Sequence, residues 1–211
     1  MRTLICLVLM STTAAYAGNE LSIGGSNRAL RSSSADAVTG ESLTGGQLGV
    51  AHELHVGLPD LAVWATGAMW WGGAKGTLFD LATDVGQSAY LVGGRARYAL
   101  LTHLAATAHV QVGLAHTSLA LTDAMDREVS DTGWGGVAEG AIGLDLLAVD
   151  QPRFALGLRL ELGYVAAASV TLAGKSSHPD DGTLRLQMTQ ASLGRLDLSG
   201  PYAGISVMSE F

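Results

Sequence analysis

From Phe154 to Tyr164 the chain reads FALGLRLELGY, so that Phe154, Leu156, Leu158, Leu160, Leu162 and Tyr164 alternate with Ala155, Gly157, Arg159, Glu161 and Gly163. Successive side chains of a β-strand point to opposite faces, so this period of two makes one face wholly apolar and the other small or charged. A helix could not sort these residues. The pattern recurs from Gly45 to Gly57, with Leu48, Val50, His52, Leu54 and Val56 set against Gln47, Gly49, Ala51, Glu53 and His55. Further alternating stretches span Leu61 to Trp71, Ser88 to Leu101, Thr107 to Leu121, Trp134 to Leu147, Leu184 to Leu196 and Tyr202 to Phe211, which makes eight strands in all. Leu58-Pro59-Asp60, Asp150-Gln151-Pro152 and Ser199-Gly200-Pro201 read as tight turns, because proline pre-sets its own φ and cannot join a central ladder. Gly72 to Gln87, Asp123 to Thr132 and Gly174 to Gly182 read as loops, the second of them acidic.

Hairpin following hairpin, with no amphipathic helical stretch of convincing length, predicts an all-β, antiparallel up-and-down sheet that closes into a barrel. Residues 1–17 read as a signal peptide: Arg2, an apolar run from Leu4 to Met10, and Ala15-Tyr16-Ala17 as a small-x-small cleavage site. Residues 18–44 are expected to be an exposed lead-in with at most one short strand, and residues 45–211 the barrel. Counting Glu20 to Gly25 and one more strand would give a ten-stranded alternative. Cys6, the single cysteine, lies inside the apolar run, so the mature chain has no disulfide.

Composition turns the expected barrel toward lipid. Hydrophobic residues make up 48% of the chain and charged residues only 15%, against the ~25% charge of an ordinary soluble domain. No mature segment reaches the ~18 apolar residues of a transmembrane helix. The formal net charge of −7 would repel phosphates, which argues against a nucleic-acid partner.

The export signal, the alternating strands and a last strand with Ala203, Ile205, Val207, Ser209 and a terminal Phe211 together resemble the small eight-stranded, OmpA/OmpX-like outer-membrane β-barrels of Gram-negative bacteria. The resemblance covers residues 45–211 as an architecture, and Ser209 departs from the large residue often found at its position. It implies a transmembrane barrel in the outer membrane, surrounded by lipid and lipopolysaccharide, with Phe211 read by the barrel-assembly machinery. Trp70, Trp71, Tyr98, Trp134, Phe154 and Tyr202 are then candidates for the interfacial aromatic girdles.

With the apolar face outside, the inward face collects Glu53, His55, Arg95, Arg97, Glu139, Asp145, Arg159, Glu161 and Arg185. Eight strands leave an interior only wide enough for side chains, and the arginine fork suits carboxylates, so these groups are expected to pair and fill the lumen. Such a barrel is non-enzymatic and plugged, with a structural or surface-interaction role and a loop partner the sequence does not identify. The alternatives are a small porin-like pore or transporter, and a soluble secreted lipocalin-like barrel. One point resists this reading: with Phe211 in the periplasm, counting strands backward puts the Pro201 turn outside and the longer His178 loop inside, the reverse of the usual pattern.

Catalytic chemistry leaves a single trace. His116-Thr117-Ser118 places a base and a nucleophile two residues apart on one strand face, with Glu128 in the loop beyond. The pair is similar to the His-x-Ser of outer-membrane lipid A deacylases, which would make His116, Ser118 and Glu128 catalytic. No metal site or cofactor is expected: His52 and His55 fall on opposite strand faces, and phosphate-loop, Gly-x-Ser-x-Gly and CxxC motifs are all missing.

Overall fold

The computed structural model describes residues 18–30, 42–56, 58, 60–78, 81–124, 128–151, 154–176 and 191–211. The expected signal peptide, the Ser32–Ser34 cluster, Pro59, Pro152, His178 and Arg185 lie outside the described residues. The described residues form ten strands: β1 (Asn19–Ala29), β2 (Ser42–Leu54), β3 (Leu61–Leu78), β4 (Leu81–Leu101), β5 (Leu104–Thr122), β6 (Glu128–Gln151), β7 (Phe154–Ala167), β8 (Val170–Ser176), β9 (Ala191–Leu196) and β10 (Gly200–Glu210).

Eight of them make the wall. Each of β1 to β6 pairs antiparallel with the next, β7 pairs with β10, and β10 returns to β1, so the sheet has no open seam. Closure is continued past the last strand by Asn19 and Phe211, which exchange backbone bonds of 2.8 and 2.9 Å. A closed ring satisfies every ladder group internally, as a wall standing in lipid requires.

The membership of the wall corrects the expectation in three places. The supposed lead-in supplies a full wall strand, β1, paired along its length with β2 and β10. Its alternation is of small residues (Ser22, Gly24, Ser26) against Leu21 and Ile23, a weaker pattern than leucine against charge. Conversely, of the expected strand Leu184 to Leu196 the described part is β9, which among the described residues pairs only with β8 and so adds no wall strand. Residues 184–190 lie outside the described residues. Third, the expected loop Gly72–Gln87 is the continuation of β3 and β4, paired to Leu78↔Leu81, and β6 begins inside the expected acidic loop at Glu128. With β8 and β9 out of the wall, the sidedness conflict vanishes: every long connection leaves from the end opposite the termini. Gly18 and Phe211 lie at the same end as the β2–β3, β4–β5 and β6–β7 connections. Asp60 turns the first of these at a φ of 62°, a left-handed conformation that aspartate tolerates better than most side chains.

The strands differ in height. β1 and β10 have 11 residues each, close to the ~9–11 that span a bilayer, whereas β3, β4, β5 and β6 have 18, 21, 19 and 24. Pairing of β2 with β3 stops at Thr44↔Gly73, and from there the four longer strands rise as a projecting wall. The β8–β9 hairpin leans on it: Ser176 and Lys175 pair with Val129 and Ser130 of β6. Gly133 and Gly135 make room for the hairpin root, since a Cβ on Gly133 would collide with Val170 Cγ1.

Burial runs inside out. Leu158, Leu160, Leu162, Val110, Val112, Leu114, Ile142, Ile205 and Val207 are all exposed, Leu162 by 64%, while Glu20, Arg28, Arg95, Asp145, Arg159 and Glu161 are buried. Soluble monomers rarely expose a contiguous apolar surface of more than a few hundred Å². A band of leucine, valine and isoleucine around the whole ring therefore has hydrocarbon as its solvent, and the soluble lipocalin-like alternative, which needs its apolar face inside, does not fit.

Candidate functional site

The interior is layered from the terminal end upward. Glu20 and Arg28 both face inward from β1, eight residues or about 26 Å apart along the strand. Around Glu20, three arginines meet three carboxylates. Arg159 on β7 donates Nη1 and Nη2 to Glu20 at 2.8 and 3.0 Å, and Nε and Nη2 to Asp145 on β6, both at 2.8 Å. Arg95 on β4 reaches Glu20 with both Nη atoms, at 2.8 and 2.5 Å. Arg97, also on β4, pairs with Glu210 on β10 and lies 3.6 Å from Asp145. Arg159 and Asp145 face each other across the neighbouring strands β7 and β6, whereas the other pairs join strands that are not neighbours in the ring; Arg97–Glu210 links opposite walls, so the side chains cross the lumen. Arg95 also stacks over Trp64, its guanidinium carbon 5.2 Å from the ring centre.

The next layer is built on His109 of β5. Its Nε2 lies 3.1 Å from Glu139 and its Nδ1 3.2 Å from Glu161, while the Tyr202 hydroxyl of β10 donates to Glu139 at 3.0 Å. Between the two layers lies a cavity of about 50 Å³ bordered by Glu20, Arg95, His109, Glu139, Arg159 and Glu161. Above it Arg28 donates to Gln87 at 2.8 Å, Gln87 to Thr117 at 3.3 Å, and Trp70 to Ser26 at 2.8 Å, with Arg28 lying 4.7 Å over the Trp70 ring. The far end is apolar: Leu43, Val85, Leu119 and Val165 from the wall meet Val170, Leu172, Leu196 and Leu198 from the hairpin and its connection. Polar contacts thus give way to a hydrophobic cap where the hairpin root enters the barrel.

Of the residues expected in the lumen, Arg95, Arg97, Glu139, Asp145, Arg159 and Glu161 meet in these layers. Glu53 is half-buried at the mouth of the terminal end, and His55 is exposed beyond the last residue of β2, outside the network. The strand ends before His55, so the alternation no longer dictates its direction. Four members were missing from the sequence reading: Glu20, Arg28, His109 and Glu210. The signal for His109 was its place opposite Val110 and Val112; Glu20 and Arg28 were hidden by the weak patterning of β1.

Two of the expected girdle aromatics face the wrong way. Trp70 and Tyr202 are buried inside, whereas Trp71, Tyr98, Trp134 and Phe154 are exposed on the outer wall. Adjacent residues on a strand point to opposite sides, so Trp70 and Trp71 cannot both be outside. The outer aromatics fall in two groups: Tyr98, Phe154 and Phe211 near the terminal end, and Trp71, Trp134, Tyr90 and Tyr164 toward the other. Tyr90 stacks on Trp134 at 6.4 Å.

The acyl-transfer trio is not assembled. His116 and Ser118 do share the outer face of β5, but the His116 ring lies against Trp134 at 4.9 Å and Ser118 Oγ donates to the Gly86 carbonyl at 3.4 Å. Glu128 pairs with Thr122, four residues or about 13 Å further along the ladder from Ser118. A base, a nucleophile and an orienting acid need hydrogen-bond contact, which this spacing prevents. No group of three or more potential metal ligands occurs among the described residues.

No protein-family model matches the chain, and no curated protein matches it in sequence. Among solved structures it is similar to Ail, the attachment invasion locus protein of Yersinia pestis, at 12% identity and a TM-score of 0.49, over 93% of this chain and 100% of that one. It is also similar to a major outer membrane protein from Thermus thermophilus, at 14% identity and a TM-score of 0.46, over 92% and 100% of the two chains. Neisserial surface protein A matches at 10% identity and a TM-score of 0.44, over 92% and 94%. Identities this low carry no property of those proteins to this chain.

Proposed function

We propose that the chain is an outer-membrane barrel whose lumen is closed to solutes and whose projecting β3–β6 wall is its working surface. The observation that carries this reading is the clamp of Arg159 between Glu20 and Asp145, joined by Arg95 and Arg97, which fills the narrow section with bonded side chains from β1, β4, β6, β7 and β10. Buried charges so paired are costly to separate, and an open path would have to separate them. The apolar cap around Leu172 supports closure at the other end.

The termini and short turns then face the periplasm and the tall wall faces outward, in the pattern usual for such barrels. Lipid and lipopolysaccharide surround the leucine-rich belt, the assembly machinery reads the strand that ends in Phe211, and the role is structural or one of surface interaction rather than catalytic. Reconstitution in planar bilayers tests the closed lumen: no steady conductance is expected from the wild type, and a sustained ionic current would overturn it. Swelling of liposomes in sugars would favour the pore instead. Membrane fractionation with heat-modifiable gel migration tests the location, and a soluble, non-modifiable band would refute it.

A further inference from the structure

Gly18, the first described residue, continues the β1–β2 ladder: its carbonyl accepts a bond of 2.9 Å from the Glu53 backbone N–H. Side chains from two strands close over it. A Cβ built on Gly18 would stand 3.3 Å from Glu53 Oε2 and 3.3 Å from the Trp64 ring, so a residue larger than glycine would crowd both. Glu53 is half-buried, and none of the ion pairs among the described residues engages its carboxylate. It borders a basin of about 440 Å³ at this mouth, with Asp60, Trp64, Arg97 and Glu210. Arg97 is already committed to Glu210 and Asp145, which leaves the basin short of positive charge.

The Ala15-Tyr16-Ala17 motif directs cleavage to the bond before Gly18. Cutting there converts the Gly18 amide nitrogen into an α-ammonium, which is largely protonated at neutral pH. That nitrogen and the built Cβ hang from the same Cα, roughly 2.5 Å apart by standard bond lengths, so the ammonium lies no more than about 6 Å from Glu53 Oε2, a gap the flexible Glu53 side chain can close. We propose that removal of the signal peptide completes the periplasmic mouth: the new α-ammonium of Gly18 is the cation that pairs with Glu53. Processing thereby installs the missing charge, and glycine suits the first mature position because a side chain there would press on Glu53 and Trp64, which would have to give by a few tenths of an ångström. The inference rests on the reading of the chain as an exported barrel.

Carbodiimide coupling of the native protein, extracted from membranes in mild detergent, tests it. The reagent activates a carboxyl group, a contacting amine displaces it to form an amide, and the reagent leaves as its urea with the elements of water. The expected result is a mature chain of residues 18–211 by intact mass, and after coupling a cross-linked peptide that joins the Gly18 amine to the Glu53 carboxyl. Glu53→Gln should abolish that peptide while leaving heat-modifiable migration unchanged. If Glu53→Gln does not fold, Glu53→Asp, shorter by one methylene, should cut the yield of the cross-link several-fold. A mature chain starting at another residue, or a Gly18 amine left free or coupled to Asp60 or Glu210 while Glu53 is consumed, would overturn the pair with the barrel reading intact. A soluble, non-modifiable protein would instead overturn that reading, and the pair with it.

Discussion

Replacing Arg159 by methionine removes the hub of the lower layer while keeping a chain of similar volume. Arg159 is 3% exposed and donates four bonds of 2.8 to 3.0 Å. The two carboxylates it serves are not left in the same state. Glu20 retains both Nη bonds from Arg95. Asp145, fully buried, keeps only Arg97 at 3.6 Å, beyond good hydrogen-bond length. Removing one partner of a buried pair costs about 3–5 kcal/mol, because a desolvated charge is left behind. With Glu20 still compensated, the lower end applies, about 3 kcal/mol for Arg159→Met. Removing the stranded carboxylate as well, in Arg159→Met/Asp145→Leu, should recover more than half of this, since paired burial and apolar packing are nearly equivalent in free energy. The measurement is urea unfolding of the barrel in lipid vesicles, followed by tryptophan fluorescence and by gel migration with and without heating. A single variant within about 1 kcal/mol of wild type, or a double variant less stable than the single, would refute the account of Arg159 as a buried clamp.

Leu160 stands near the middle of β7 on the outer face, so Leu160→Arg should cost about 2–4 kcal/mol in vesicles, with a small effect signifying that this face does not meet lipid. Trp70→Ala should cost about 3–5 kcal/mol, because the ring is buried against Arg28 and bonded to Ser26, while Trp71→Ala should cost clearly less; the same unfolding assay ranks them, and the reverse order would invert the assignment of the two faces. Gly133→Val should displace the hairpin root from the barrel end, seen as faster proteolysis of β8–β9 in the intact barrel, and unchanged cleavage would refute the close approach of Val170 to Gly133 as a constraint. Lys75→Ala should have no measurable effect on unfolding, because the Lys75–Asp84 pair is 3.6 Å apart and solvent-exposed.

Much of this protein was legible in the linear pattern because a strand leaves little to chance: once Leu158 and Leu160 share a face, Arg159 and Glu161 must share the other. The composition then turned the apolar face toward lipid, since 15% charge is well below the ~25% of an ordinary soluble domain. The barrel class and the inward direction of Arg95, Arg159 and Glu161 follow from local geometry and solvent preference alone. What local pattern could not decide is which strands close the ring. β1 carries glycine and serine where others carry charge, yet its ladders to β2 and β10 make it a wall strand, and β9 is left out for want of a wall partner.

Partnership is likewise a property of the folded chain. Arg159 and Glu20 are 139 positions apart, and Arg97 and Glu210 113, so no spacing rule joins them. The ring brings them together only after eight strands have set their registers, and a shift of one residue in any strand would turn its charges outward. The sequence by itself determined the faces, through the two-residue repeat of the backbone and the cost of charge in lipid. The tertiary structure alone decided the pairs, the cap over the lumen and the membership of the wall, because each depends on contacts between strands remote in sequence.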